Sequence, residues 1–314
     1  MVTNGMSTNG MSIVRTLTRI SKINDKSVHV FKYRNNGIKC TKKEIARIKM
    51  LGIPPNWTNV CISNSELSHL QATGLDDKKR TQYIYHPMWV LLTSVEKYKR
   101  IGEFSRRYRL LESKVNKDLT SDPTNEIPVM IKIIQKTYIR VGNDCYAKDN
   151  NTYGLSSLEK RHIKLNKGSI NLSFVGKKGV PQSIDFRDPH CFQYLKTRLR
   201  SLKKNESVFG SNPAVLNNYL KNIMGSDFTC KDLRTYGGNV LFLKILGKLK
   251  LPTNQKEIKN NIKHTYLEVA KKLGHTVAIS KKSYIVPVIQ EQYTLNPRQF
   301  YDKNPRTILN RLCV

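Results

Sequence analysis

The sequence predicts an α+β fold, in which a small β-rich N-terminal domain precedes a mainly α-helical domain carrying one three-stranded antiparallel sheet. Three observations predict it. From about Lys26 to Pro87 the chain runs in short alternating stretches broken by turn residues, the pattern of strands and hairpins. Beyond Trp89 apolar residues recur at three- and four-residue spacing, which is helical. Between Ile163 and Phe186 strict alternation returns, interrupted by glycine-bearing turns. With a boundary near residue 92, the expected parts are an N-terminal extension (1–25), a β-rich domain (26–92) and a helical domain (93–314).

The extension opens on Thr3-Asn4-Gly5-Met6-Ser7, repeated at once as Thr8-Asn9-Gly10-Met11-Ser12, and lacks a secretory pattern. A flexible tail is the reading. Val28-His29-Val30-Phe31 and Tyr83-Ile84-Tyr85 then read as strands, and Asp76-Asp77-Lys78-Lys79-Arg80 as a charged hairpin tip before the second of them. Alternation puts Tyr83 and Tyr85 on one face. A basic tip beside paired aromatics suits a nucleic-acid groove, but a solvated turn beside a core strand reads the same way, since such charge runs are common.

Lys97 to Lys117, with Arg106, Arg107 and Arg109 among it, is expected as a first helix pair or as a basic linker. Ile127, Ile131, Ile134, Tyr138 and Val141 follow at helical spacing, with Pro128 acceptable in the first turn. Arg140 falls at the end of that helix, before the turn residues Gly142-Asn143-Asp144. In the sheet, Lys177 sits on the second hairpin tip, between Gly176 and Gly179, which let the backbone approach a ligand and move. Thr229 and Asp232 have capping-box spacing, so a helix is expected to start just before Arg234 and to present free N–H groups to an anion. A longer helix over Ile258, Ile262, Val269, Ala270 and Leu273 ends at Gly274, which hands His275 to a loop. Ser280 is expected to cap a short helix carrying Tyr284, with Pro287 stopping or kinking it.

Composition narrows the function classes. Fifty-five Lys and Arg against 23 Asp and Glu give a formal net charge of +32, which favours a polyanionic partner, either nucleic acid or an anionic membrane surface. No stretch has the apolar length to cross a bilayer, and the best candidate, Val240 to Leu246, is interrupted by Lys244. The six cysteines (Cys40, Cys61, Cys145, Cys191, Cys230, Cys313) include no C-x-x-C pair, so neither a zinc site nor a disulfide framework is expected. With no phosphate-binding G-x-x-x-x-G-K-[ST] loop and no paired acidic cluster, neither a nucleotide nor a metal is expected as cofactor. Three fixed cations (Arg140, Lys177, Arg234), one imidazole (His275) and one phenol (Tyr284) remain. These are the parts for attack of a tyrosine on a phosphodiester, because cations stabilise the pentacoordinate transition state.

The text around these five residues resembles the type IB DNA topoisomerases of the short poxviral and bacterial kind. It is carried by Tyr138-Ile139-Arg140-Val141-Gly142-Asn143 with Tyr146, by Tyr153-Gly154-Leu155-Ser156-Ser157-Leu158, and by Phe174-Val175-Gly176-Lys177. It continues in Lys231-Asp232-Leu233-Arg234-Thr235-Tyr236-Gly237, Leu273-Gly274-His275-Thr276 and Ser280-Lys281-Lys282-Ser283-Tyr284, with nine residues from histidine to tyrosine. Ile53-Pro54-Pro55-Asn56-Trp57 and Ala72-Thr73-Gly74 through Gln82-Tyr83-Ile84-Tyr85-His86-Pro87 resemble the bacterial members in particular.

The resemblance implies a C-shaped clamp around duplex DNA, acting as a monomer, with Tyr284 becoming linked to a 3′ phosphate. No ATP is then required. It further implies that Arg140 and Arg234 grip nonbridging oxygens, that His275 donates to one of them, and that Lys177 protonates the departing 5′ oxygen. Lys231 and Asn239 near Arg234, Tyr146 and Ser157 after Arg140, and Arg80, Tyr83 and Tyr85 in the N-terminal domain are carried over as DNA contacts. For Tyr146 and Ser157, packing and loop capping are equally open. Tyrosine recombinases share the five-residue arrangement but usually carry His-x-x-Arg at the second arginine, where this chain has Lys231-Asp232-Leu233-Arg234. A non-catalytic basic DNA-packaging protein would also account for the charge, but not for Tyr284. The Lys-, Asn- and Ile-rich composition reads as that of an AT-rich genome, and the expected setting is the cytoplasmic factory or virion of a large DNA virus.

Overall fold

The computed structural model describes residues 10–23, 26–142, 151–225 and 228–313. The chain is α+β and divides into two compact units, Met1–Glu96 and Lys97–Val314.

The first unit holds a six-stranded antiparallel sheet, ordered β3-β2-β1-β4-β5-β6, from β1 (Ile13–Ile23), β2 (Lys26–Asn35), β3 (Ile38–Lys39), β4 (Thr58–Ile62), β5 (Leu70–Leu75) and β6 (Thr81–Tyr85). Ile13, Cys40, Val60, Ile62 and Ala72 form its core with Ile48 of helix α1 (Lys42–Met50). Thr41 and Glu44 start that helix as a capping box. Residues 13–23 correct an expectation: they are not part of a flexible extension but a sheet strand, paired with β2 along its length and with β4 at Ile13 and Val14. The reason is burial. Ile13 is wholly enclosed, and Arg15 turns inward to donate to the carbonyls of Pro54 (3.0 Å) and Trp57 (2.6 Å) while lying 4.2 Å from the centre of the Phe31 ring. Its guanidinium thereby ties the Pro54–Trp57 loop to the sheet through two part-buried carbonyls.

α2 (Pro87–Ser121) is one run of 35 residues rather than a helix pair or a linker, and from Lys97 onward it belongs to the second unit. Ile101, Phe104, Tyr108, Leu111, Val115 and Leu119 make one buried stripe along it at helical spacing. Phe104 meets Phe228 edge-on at 5.1 Å and Tyr236 at 5.3 Å. α3 (Glu126–Thr137), capped by Asn125, buries Val129, Met130, Ile131, Ile133 and Ile134. It ends at Thr137, because Tyr138 takes a left-handed conformation (φ 58°) and donates to Ile134 O. Arg140 therefore lies beyond the helix, not at its last turn.

β7 (Ile163–Asn166), β8 (Ser169–Gly176) and β9 (Val180–Phe186) form the expected three-stranded antiparallel sheet, with Ile163 opposite Leu172 and Leu172 opposite Ile184. The helices that follow are α4 (Pro189–Arg198), α5 (Pro213–Met224), α6 (Cys230–Leu246), α7 (Gln255–Leu273), α8 (Pro287–Leu295) and α9 (Pro305–Leu312). Their apolar faces join α2, α3 and the sheet in one continuous core. Among the described residues no helix is long and apolar enough to cross a membrane.

Candidate active site

Five segments build the candidate site, each shaped by its local sequence. The Arg140 segment packs backbone to backbone on Gly154. Leu155 N donates to Arg140 O and Ser156 N to Val141 O, and a Cβ on Gly142 or Gly154 would fall 2.8 or 2.5 Å from the other glycine's Cα. Only glycines permit that approach. Ser157 closes the same loop: its buried Oγ accepts from Gly154 N at 3.0 Å. Tyr146 lies outside the described residues.

Lys177 stands exposed at the β8–β9 tip, where Lys178 and Gly179 take positive φ (66° and 74°) to turn the chain. It shares the lining of a small crevice with Arg140, Tyr138, Tyr153, Arg234 and Lys272. Arg140, Lys177 and Arg234 are thus brought to one place from positions far apart in sequence.

Arg234 is the fifth residue of α6. Thr229 and Asp232 begin the helix as a capping box, and the Asp232 carboxylate also accepts from Arg100 of α2 at 3.1 Å. The Arg234 side chain runs inward, only 4% exposed. Its guanidinium donates to the backbone carbonyls of Tyr138 and Leu273 and, through Nε, to the Tyr284 hydroxyl at 3.3 Å. Burial pushes its pKa down to about 10, so it stays a cation at neutral pH.

Gly274, at φ 59°, ends α7 as expected and frees His275. The His275 ring lies 4.6 Å from the Tyr284 ring, and its Nε2 shares a 2.7 Å hydrogen bond with Ser280 Oγ. Burial, then the nearby charges of Arg234 and Arg140, lower the imidazole pKa to about 4. His275 is therefore neutral at physiological pH, acting as a hydrogen-bonding group rather than a charge.

Two expectations about the tyrosine segment are corrected. Thr276, not Ser280, caps the turn: its Oγ1 accepts from Ile279 N at 3.3 Å, while Ser280 is buried inside the turn and faces His275. The Val277–Ile279 turn widens into a π-turn over Ser280–Tyr284 and is already extended at Ile285, so Pro287 starts α8 rather than stopping the tyrosine helix. Burial raises the Tyr284 pKa, but the Arg234 and Arg140 charges, with hydrogen bonds from both, outweigh it and leave the phenol below its ordinary value.

Asn239, carried over as a DNA contact, is fully buried and spends its amide inside the protein. Nδ2 donates to Tyr284 O and Thr235 O, and Oδ1 accepts from Val286 N, each at 2.9 Å. It holds the backbone where the nucleophile's turn ends, at Tyr284 and Val286. Lys231 is exposed at the second position of α6. In the first unit, Tyr83 and Tyr85 stack at 6.0 Å and 19° on β6, and the largely exposed Arg80 pairs with Asp76 at 2.6 Å across the expected hairpin tip. Sequence reasoning missed Tyr138, Ser280 and Lys97. The first two stood inside the quoted motifs, but nothing in a motif says that a backbone carbonyl or a buried hydroxyl is the working group. Among the described residues no three His, Cys, Asp or Glu side chains gather as a metal site.

The family described as the catalytic core of eukaryotic DNA topoisomerase I matches residues 92–297, and the N-terminal domain of bacterial DNA topoisomerase IB matches residues 30–76. DNA topoisomerase 1B of Acanthamoeba polyphaga mimivirus is 35% identical, over 87% of this chain and 87% of its own length. DNA topoisomerase I of Monkeypox virus is 27% identical, over 81% of this chain and 83% of its own length. A solved XerH site-specific recombinase, bound to palindromic difH substrate after cleavage, aligns with a TM-score of 0.38 at 16% identity, over 71% of this chain and 59% of that one.

Proposed function

This chain belongs to the type IB DNA topoisomerases, and from that premise we propose that Tyr284 is its nucleophile, with Arg140, Lys177, Arg234 and His275 as the groups that act on the scissile phosphate. The protein is an isomerase that binds DNA and relaxes supercoils by transient cleavage of one strand, rotation and religation. One observation supports the assignment of Tyr284 above the rest: its hydroxyl is held by Arg234 beside His275, in a setting that lowers the pKa of the phenol.

An ordinary phenol, with a pKa of about 10, is a weak nucleophile at neutral pH, and two guanidinium neighbours favour its anion. As the hydroxyl attacks phosphorus, negative charge builds on the nonbridging oxygens. Arg140 and Arg234 suit those oxygens through their planar paired donors, and neutral His275 offers one N–H more. The 5′ alkoxide that leaves needs a proton. We assign that role to Lys177, supported by its position on a glycine-flanked tip that lines the same crevice as Arg140 and Arg234, and general acid catalysis of this kind contributes about 10²–10⁴-fold. The phosphotyrosyl ester conserves the bond energy, so religation needs no ATP.

Arg80, Tyr83 and Lys231 are assigned as DNA contacts on their exposure and chemistry and Tyr85, half-buried, on its stacking with Tyr83, and the chain is assigned as a monomeric clamp that binds no nucleotide. The relatives are viral, and the setting we assign is the cytoplasmic factory or virion of a large DNA virus. The test is relaxation of a supercoiled plasmid in EDTA without ATP, wild type beside Tyr284→Phe. Relaxation by wild type alone is expected. Equal relaxation by both would remove Tyr284 from the chemistry, and strand exchange without relaxation would indicate a recombinase.

A further inference from the structure

The π-turn that carries Tyr284 ends abruptly. An α-helix would continue by offering the amide four residues on to the Ser283 carbonyl, but that residue is Pro287, which has no N–H. The chain is in any case already extended at Ile285, so no helical amide reaches the acceptor beside the nucleophile. Lys97 fills it. From α2, 186 positions away in sequence, its ammonium donates to Ser283 O.

The lysine is held there by its own helix. Arg100, three residues on and therefore on the same face, grips the Asp232 carboxylate at 3.1 Å and lies 4.8 Å from the Phe228 ring centre. That contact fixes this part of α2 against the start of α6, the helix that carries Arg234. The charged groups facing the ammonium are Lys231 and Asp232 from α6, with Arg100 on its own helix. Burial first, and then Lys231, lower the Lys97 pKa to about 8, which leaves the ammonium predominantly charged at neutral pH.

We propose that Lys97 is a positioning residue for the nucleophile: its ammonium caps the Ser283 carbonyl and fixes the turn that presents the Tyr284 hydroxyl to the phosphate. The contact completes a three-point hold. Lys97 takes the backbone before Tyr284, Asn239 takes the Tyr284 carbonyl and the Val286 amide, and Arg234 takes the hydroxyl. The inference rests on the reading of Tyr284 as nucleophile. Nothing in it requires Lys97 to touch DNA.

The experiment is single-turnover formation of the denaturant-trapped adduct on saturating linear duplex, for wild type, Lys97→Met, Lys97→Arg and Tyr284→Phe. Noncovalent affinity is measured in parallel, with the Lys97 substitutions placed on the Tyr284→Phe background. Lys97 is partly exposed, so methionine opens no hole in the core. Loss of one charge-assisted hydrogen bond sets the scale. Lys97→Met is expected to form adduct roughly tenfold more slowly with unchanged affinity, and Lys97→Arg to recover to within about threefold. Wild-type adduct rate in Lys97→Met at saturating DNA overturns the proposal. If affinity falls while that rate is kept, Lys97 is a phosphate contact and the proposal fails. Equal slowing in Lys97→Met and Lys97→Arg also overturns it. Adduct in Tyr284→Phe would overturn the nucleophile assignment instead.

Discussion

The Arg234 guanidinium donates to the Tyr284 hydroxyl at 3.3 Å while its other two nitrogens hold the carbonyls of Tyr138 and Leu273. One side chain therefore ties the nucleophile to the end of α3 and the end of α7. A lysine carries one donor centre and cannot span three acceptors. Arg234→Lys is expected to slow adduct formation about 10²–10³-fold, the scale of losing a transition-state donor, with DNA affinity nearly kept. Single-turnover rates and a binding isotherm check this.

Asn239 makes a different demand. Replacing it with alanine strands the buried Val286 amide and removes the donor to Tyr284 O, at a cost of about 1–3 kcal/mol. Asn239→Ala is expected to lower the urea midpoint and slow adduct formation without changing the salt dependence of DNA binding. A variant that lost affinity but kept its stability would restore the DNA-contact role.

Gly237 tests the packing behind the site. Alanine at an exposed helical position would gain about 0.5–1 kcal/mol over glycine. Here its Cβ would fall 2.3 Å from the Tyr138 ring, and overpacking costs about 1–3 kcal/mol. The clash wins, and Tyr138 carries the carbonyl that Arg234 holds. Gly237→Ala is therefore expected both to destabilise the protein in urea and to reduce cleavage.

The fold positions that surround these residues were legible to different degrees. The alternation of β7 to β9, the capping box before Arg234 and the glycine after Leu273 are local signals, and the structure realises each of them. Strand β1 was hidden because it follows a low-complexity repeat, and its inward Arg15 breaks the apolar alternation. Ser280 had the right chemistry for a cap, but Thr276, four residues earlier, takes the role and leaves Ser280 to His275. Asn239 and Lys97 could not be placed from sequence, since their partners are backbone groups 45 and 186 residues distant.

His275 gives a pH prediction with a definite sign. Its folded pKa of about 4 lies below the ordinary value of 6.5, so between these the unfolded chain binds more protons. Stability from this group is present above 6.5 and is lost as pH falls toward 4. Urea midpoints at pH 7.5, 6 and 5 are expected to fall more steeply for wild type than for His275→Asn. The adduct rate of wild type should show no step near pH 6.5.

A net charge of +32 predicts binding driven by counterion release. Relaxation at limiting enzyme is expected to fall steeply between 50 and 200 mM salt. A flat response would refute the electrostatic account of binding.

The central claim is that Tyr284 attacks the phosphodiester. The most direct measurement traps the adduct on duplex DNA, digests the protein with trypsin and identifies the DNA-linked peptide by mass spectrometry. The account predicts linkage at Tyr284, in the peptide beginning at Ser283, to a 3′ phosphate. Linkage at another tyrosine, or to a 5′ phosphate, would contradict it.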